Sequence, residues 1–489
     1  MRTVRIACAA LMPTLPTQPQ ALPILLTQLE IHTASRVDRY FIPLGFIREA
    51  DVISALPQQL ALARVRRHRH VGFLTDGLAL DSLPLSVIER MRANTTIMTA
   101  DGEVHFTSTP ALQQIAISVD SSIRRMSVEQ SNSSLVVDER IVLKILRRLD
   151  EGIHPEAEMS RYLTARGYAN SPALLGEVVA VDGAGEKRTL MVLQAYIHNQ
   201  GDAWAWVMAT LERLFLSFQG DKTEPADNNA PDLLVELTDF SRQLGQRLGE
   251  LHAALATPSE DPAFAPHLAT PGDIQHWQTG IGQQMNAAFT ILQAHLSTVD
   301  DDAPVAQLLA LWPRLLLLVA SLAEDCEGSP LSRIHGDFHL GQVLLVQGDA
   351  YIIDFEGEPC RPLSARREIT SPWRDVAGLL CSLDYAADFA RKIGPGDLGG
   401  PADELKQHLL DRFSPECQQT FLQGYHRVVT DIRPEKEVTL LSLFTIEKAA
   451  YQICYEACNR PSWLLASIQG MLRIAQRLLP PSSLGTKHD

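Results

Sequence analysis

The 489-residue chain is poor in the features that announce most specialised classes of protein. Its seven cysteines, Cys8, Cys326, Cys360, Cys381, Cys417, Cys454 and Cys458, are odd in number and show no CxxC spacing. That argues against a disulfide framework or a zinc ribbon and fits reduced thiols in the cytoplasm. Positive charge is in deficit: 43 Lys and Arg stand against 58 Asp and Glu, a formal net charge of -15. Neither nucleic acid nor an anionic membrane is expected to attract such a surface. There is no run of roughly 18 uncharged apolar residues; the nearest, LLLLVASLA at 315–323, is bracketed by Pro313, Arg314, Glu324 and Asp325 and reads as a core helix. IACAALM near the N-terminus is too short for an export signal and reads as a strand. No repeat of fixed period is visible. The expectation is a cytoplasmic protein with a small-molecule or protein partner.

What is present is a hydrophobic fraction of 45%, ample for a packed interior, and a pattern that changes along the chain. Residues 1–110 alternate strand-like pieces (LTQLEIHTA, RYFIPLGFI, VGFLTD) with a helix at LSVIERMRA, which predicts a small α+β unit. The basic run RVRRHRH at 64–70 reads as a solvated strand or turn before it reads as a docking patch. Residues 111–202 turn to β: IRRMSVEQ, LVVD and IVLKIL predict three strands joined by tight polar turns. A helix follows at HPEAEMSRYLTARG, with Pro155 in its first turn and Gly167 at its stop, then a hairpin LLGEVVAV–DGAGEKR–TLMVLQAYI. Residues 203–489 are mainly helical; Leu237, Phe240, Leu244, Leu248 and Leu251 recur at helical spacing. Further helices are expected near 273–298, 304–325, 372–392, 402–427 and 436–459, and the polar segment 219–232 is the best internal loop. Sheet first and helices second, linked near Gln194–Gly201, predicts two lobes with a ligand cleft at their junction.

One stretch interrupts the helices, RIHGDFHLGQVLLVQGDAYIIDFEGEP at 333–359. Its apolar pieces predict a hairpin turning at Gln347–Asp349, which holds Asp337 and Gln342 at one end and returns Asp354 beside them. An Asp, an amide side chain five residues on and a second Asp beyond a hairpin is the spacing used in phosphoryl transfer. There a carboxylate takes the proton of the attacking hydroxyl, and hard oxygen donors hold Mg²⁺ against ATP. The β region supplies the complement. Lys144 inside IVLKIL needs a partner, and the next helix offers Glu156 and Glu158, of which Glu158 is preferred. Where many kinases place glycines, this chain has Ser131, Asn132, Ser133 and Ser134, whose amides and hydroxyls suit phosphates. Gln194, at the exit of the sheet, is assigned to the nucleotide side.

HGDFHLGQVL, DFEGEP, SPWRDVAGLLCSLDYA and EKAAYQICYEACNRPSWL together resemble the maltokinases over roughly residues 20–480. The resemblance implies an α+β, bilobal protein-kinase-like fold: an N-terminal cap (1–110), an antiparallel ATP-binding β subdomain (111–202) and a helical C-lobe (203–489). It implies ATP- and Mg²⁺-dependent phosphorylation of maltose to maltose 1-phosphate, feeding α-glucan synthesis from trehalose, with trehalose synthase as a possible partner. Carried onto this chain, Asp337 is the base, with His335 holding the catalytic loop; Gln342 and Asp354, assisted by Glu356, bind metal; Lys144 binds phosphate. His339, Tyr451, Tyr455, Glu456, Asn459, Arg460 and Trp463 form a sugar-site hypothesis, the aromatic, carboxylate, amide and guanidinium groups matching a polyhydroxylated ligand. Arg374 and Asp375 are read as scaffold. The Arg-Trp-Phe-Gly segment common at the start of maltokinases has no counterpart, so the cap is shortened or divergent. Two other readings stand beside this one: a related kinase for another sugar, an amino alcohol or an aminoglycoside, and a non-catalytic nucleotide-binding scaffold.

Overall fold

The structure, a computed structural model, describes residues 3–14, 22–34, 36–52, 54–67, 70–126, 132–217, 233–296, 303–393, 401–431 and 433–479. The expected loop at 219–232, Ser131 and part of the basic run at 64–70 lie outside these residues. The chain divides into two compact units, Met1–His198 with Cys360–Arg366, and Asn199–Pro359 with Arg367–Asp489.

The first unit is built on two antiparallel sheets. Strands β1 (Thr3–Met12), β2 (Ile24–His32), β3 (Val37–Arg48), β4 (Ala61–Arg67) and β5 (His70–Asp76) line up in the order β1-β2-β3-β5-β4. Helix α1 (Ser82–Arg92) leads into the second sheet, formed by β6 (Thr96–Thr99), β7 (Gly102–Ser108), β8 (Ile123–Arg125), β9 (Asn132–Val137) and β10 (Ile141–Leu146). The short β11 (Arg148–Leu149) crosses back to pair with β3. After helix α2 (Pro155–Arg166) come β12 (Leu174–Asp182) and β13 (Lys187–Ala195), giving the order β6-β7-β12-β13-β10-β9-β8. β7 pairs with β12, so this sheet draws strands from both sides of residue 110. One hydrophobic core joins Phe41 and Ile88 to Leu143, Val178 and Leu193. Local signals and outcome agree in α2: Pro155 sits in the first turn, and Gly167 closes the helix at φ 72°, where a Cβ would be strained.

The second unit is helical: α3 (Ala203–Ser217), α4 (Val235–Leu255), α5 (Pro271–Leu296), α6 (Ala303–Glu324), a hairpin of β14 (Val343–Val346) and β15 (Asp349–Ile352), then α7 (Trp373–Ile393), α8 (Pro401–His426), α9 (Pro434–Asn459) and α10 (Leu464–Leu478). The sequence reading had no helix at 464–478. In α4 the residues Leu237, Phe240, Leu244, Leu248 and Leu251 are all buried. α4 and α8 pack closely enough that glycine is required at both contacts. A Cβ on Gly245 would lie 1.9 Å from the Phe421 carbonyl oxygen, and one on Gly424 would lie 1.9 Å from that of Arg242. α6 is long and apolar enough, by length and composition, to cross a membrane. In the fold, one stripe of it, Val305, Leu308, Trp312, Leu315, Val319 and Ala323, is buried, and it packs with α5 and α10. The β14–β15 hairpin turns on two residues, Gln347 and Gly348, both at positive φ, with Asp349 already paired to Val346. That backbone suits the right-handed twist of two short strands.

Candidate active site

In the first unit, β10 and β13 run antiparallel, with Lys144 opposite Val192 and Val142 opposite Gln194, so Lys144 and Gln194 belong to neighbouring strands. The Lys144 ammonium lies 2.7 Å from Glu156 Oε1 on α2, and Glu156 is fully buried. The Gln194 amide donates to the same oxygen at 2.7 Å and to Ser160 Oγ at 2.9 Å. Glu156, the other glutamate offered by this helix, thus lies against the lysine, and the preferred Glu158 is a buried residue of the same turn. A strand lysine among apolar neighbours is tolerable with a carboxylate this close. Where a turn was expected, residues 132–134 begin β9, with Asn132 pairing with Leu146, Ser133 with Ile145 and Ser134 with Lys144. The Ser133 hydroxyl accepts from Arg147 Nε at 2.9 Å. Polar residues hide this strand from a hydrophobicity pattern; the ladder with β10 reveals it.

In the second unit the HGD segment is held by Asp375 at the start of α7. Its carboxylate accepts from the backbone N–H of His335 at 2.7 Å and of Gly336 at 2.9 Å, and from His252 Nε2 at 3.1 Å. Because Asp375 only accepts, Nε2 of His252 carries the proton; the other ring nitrogen lies 2.9 Å from the Tyr425 hydroxyl. Burial alone would push the Asp375 carboxyl up, but the hydrogen bonds from His252 and Gly336 outweigh it and hold the group below its usual range. The scaffold reading of Asp375 thus acquires a definite object, the backbone of the HGD segment. Arg374 goes elsewhere, to Glu447 at 3.1 Å and over the Phe444 ring.

His335 is buried and spends both ring nitrogens on the main chain: Nε2 donates to the Ile353 carbonyl at 2.9 Å, and Nδ1 accepts from the Asp337 N–H at 3.3 Å. It ties the loop to the segment bearing Asp354, which is a positioning task. Gln342 Nε2 donates to Asp354 Oδ2 at 3.2 Å, so the two residues assigned to metal do meet. Asp354 holds φ at 68°, a conformation uncommon for any residue with a side chain, and one that concentrates at functional sites. A carboxylate and an amide oxygen, with Glu356 partly exposed two residues on, suit Mg²⁺. That ion takes few protein ligands and keeps water and phosphate oxygens. His339 Nδ1 accepts from the Gly341 N–H at 3.0 Å, and its Nε2 lies 4.0 Å from Asp337 Oδ2.

Asp337 has a partner that sequence reasoning did not assign. Lys448 of α9 places its ammonium 3.0 Å from Asp337 Oδ1 and 2.8 Å from Glu358 Oε1, over the face of Tyr451 with 4.8 Å to the ring centroid. Burial would push the Asp337 carboxyl up, but Lys448, His339 and His335 together hold it below the usual carboxylate range. Burial would likewise lower the Lys448 ammonium, and the two carboxylates raise it instead. The available signal was a lone lysine inside the apolar run TLLSLFTIEKAAYQI, three residues before Tyr451.

The sugar-site hypothesis separates into two groups along α9. Tyr451 and Tyr455 stack with centroids 6.1 Å apart, and the Arg460 guanidinium lies over Tyr455. Asn459 donates to the Tyr455 carbonyl at 2.9 Å and finishes its own helix. The buried Glu456 meets Arg460 Nε at 3.2 Å and the Tyr385 hydroxyl at 3.4 Å; burial pushes its carboxyl up, tempered by Arg460 and Tyr385. Trp463 stacks on Phe389 at 4.7 Å and stands beside Tyr385.

Residues 122–357 match the phosphotransferase enzyme family. A glucosamine kinase of Mycolicibacterium smegmatis is 27% identical over 350 residues, 70% of this chain and 76% of that protein. A glucosamine kinase of Streptacidiphilus jiangxiensis is 28% identical over 265 residues, 54% of each. Among solved structures, a glucosamine kinase in complex with glucosamine, ADP and inorganic phosphate has a TM-score of 0.64 at 20% identity, covering 98% of this chain and 94% of that one. The fold is thus the expected α+β, phosphotransferase and protein-kinase-like one, with an antiparallel sheet lobe and a helical lobe.

Proposed function

With residues 122–357 matching the phosphotransferase enzyme family, we propose that the chain transfers the γ-phosphoryl group of ATP to a hydroxyl of a small sugar, glucosamine being the first acceptor to test. The observation that carries the reading is Asp337, a carboxylate kept ionised by Lys448 in the same unit as the Gln342–Asp354 pair. Asp337 orients the acceptor hydroxyl and takes its proton as the oxygen attacks phosphorus. Gln342 and Asp354 would hold Mg²⁺, which would supply positive charge to offset the triphosphate. Lys144, held by Glu156, whose carboxylate in turn accepts from Gln194, binds the phosphates on the nucleotide side. Both curated relatives are named glucosamine kinases, and the buried Glu456 carboxylate is a ready acceptor for an ammonium or several hydroxyls.

A second reading takes maltose as acceptor and maltose 1-phosphate as product; the HLGQ, DFEGEP and NRPSW segments together favour it. Supply of α-glucan synthesis and a trehalose synthase partner follow only from that reading. ADP release with ATP and Mg²⁺ over glucosamine, glucose, maltose, trehalose, choline and kanamycin decides between them. Turnover with glucosamine and not maltose is the expected result; release with choline or kanamycin alone removes the sugar reading, and no release with any acceptor removes the kinase. Asp337→Asn is expected to lower turnover by about 10³-fold, within the usual span for a general base, while nucleotide binding measured by calorimetry stays near wild type.

A further inference from the structure

Lys448 shares one ammonium between two carboxylates, and the sharing suggests a task. Asp337 Oδ1 is taken by Lys448 at 3.0 Å, whereas Oδ2 has no hydrogen-bonding partner among the described residues, His339 Nε2 standing 4.0 Å away. Glu358 Oε1 lies 2.8 Å from the same ammonium. The side chain of Lys448 is 14% exposed and that of Glu358 6%, so water does little to screen the group. On its own helix Lys448 faces Tyr451; from α7 the buried Cys381 thiol is in electrostatic range; Asp337 faces His335 and His339 from its own loop.

We propose that Lys448 and Glu358 form a positioning pair for Asp337: Lys448 pins Oδ1 so that Oδ2 meets the acceptor hydroxyl, and Glu358 keeps the ammonium paired when Asp337 becomes neutral. This rests on the kinase reading above. In the step, the acceptor O–H bond breaks and its proton goes to Asp337 Oδ2. The oxygen forms the new bond to the γ-phosphorus, whose bond to the bridging oxygen breaks, and ADP leaves with that electron pair. The carboxylic acid that forms at Asp337 no longer balances Lys448. Without Glu358 the ammonium would be left buried beside a neutral group, which opposes the transfer. With Glu358 the local pair stays neutral before and after. The cation also offsets the charge of the base, whereas a bare Asp337–Glu358 carboxylate pair would repel the incoming phosphoryl group.

The test is the pH dependence of kcat/KM for ADP release with the best acceptor of the panel. In Lys448→Met, kcat falls about 10²-fold or more, and the acid limb moves up by about one pH unit or more, because Asp337 loses the cation hydrogen-bonded to it. Adding Glu358→Gln brings the limb part of the way back while kcat stays low, and Lys448→Arg retains the wild-type limb. Loss of activity with an unshifted limb in Lys448→Met overturns the proposal and leaves the kinase reading intact. Should that variant fail to fold, the double variant, which has no uncompensated pair of carboxylates, takes its place against wild type, and an unshifted limb there overturns it. Wild-type protein that releases no ADP removes the kinase reading and this pair's role with it.

Discussion

Asp375 shows how one carboxylate governs a site from outside it. It binds the backbone N–H groups of His335 and Gly336 and one imidazole, in a setting only 1% exposed. Asp375→Asn keeps one acceptor oxygen and loses the charge, leaving loop donors without full partners; about 3 kcal/mol of stability is expected to go at pH 7, read by urea unfolding. The sign with pH follows from the depressed carboxyl. Its contribution is present above the unfolded value of about 3.9 and is lost as pH falls through the lower folded value, so wild type and variant converge in acid. A gap that stayed constant from pH 7 to about pH 3 would show that the charge is not what matters. The candidate residues Asp337, Gln342 and Asp354 were legible because of their spacing around one hairpin. The partners of the charged residues were not: the contact of Glu156 with Lys144 and that of Lys448 with Asp337 are set by neighbouring backbone.

Among the elements, α2, α4 and the β12–β13 hairpin could be read directly, since Pro155, Gly167, the leucine stripe and DGAGEKR each act over a few residues. Asn132–Ser134 entered a strand against their local preference for a turn because β10 offered a complete ladder. Helix α10 was missed although its stripe, Ile468, Met471, Leu472 and Ala475, is buried and helical in period. The α4–α8 contact depends on two glycines that a sequence pattern registers only as weak helix formers. Gly245→Ala should be destabilising by more than about 1 kcal/mol, despite the better intrinsic helix propensity of alanine, because its methyl meets backbone at Phe421. A rise in melting temperature on making this change would contradict the packing.

At the scale of the whole molecule, the cysteines give the clearest test of the interior. All seven are free. Cys326, Cys381 and Cys417 are buried, and burial pushes each thiol up to about 12; Cys360 and Cys458 are exposed, and Cys8 and Cys454 intermediate. A thiol-specific disulfide reagent at pH 8 is expected to label Cys360 and Cys458 quickly, and Cys326, Cys381 and Cys417 only in denaturant. Reductant should leave the melting temperature unchanged. Rapid labelling of Cys417, identified by mass spectrometry, would mean that the helical unit opens far more readily than its packing implies.

The sequence by itself determined the α+β class, most helices and strands, and the Asp–amide–Asp set, because propensity, turn chemistry and hairpin spacing act over short stretches of chain. Only the tertiary structure decided that Glu156 lies against Lys144, that Lys448 of a helix more than a hundred residues away reaches Asp337, and that strands on both sides of residue 110 share one sheet. Those outcomes depend on which backbones lie side by side, and charge pairing acts through space, where distance along the chain carries no information.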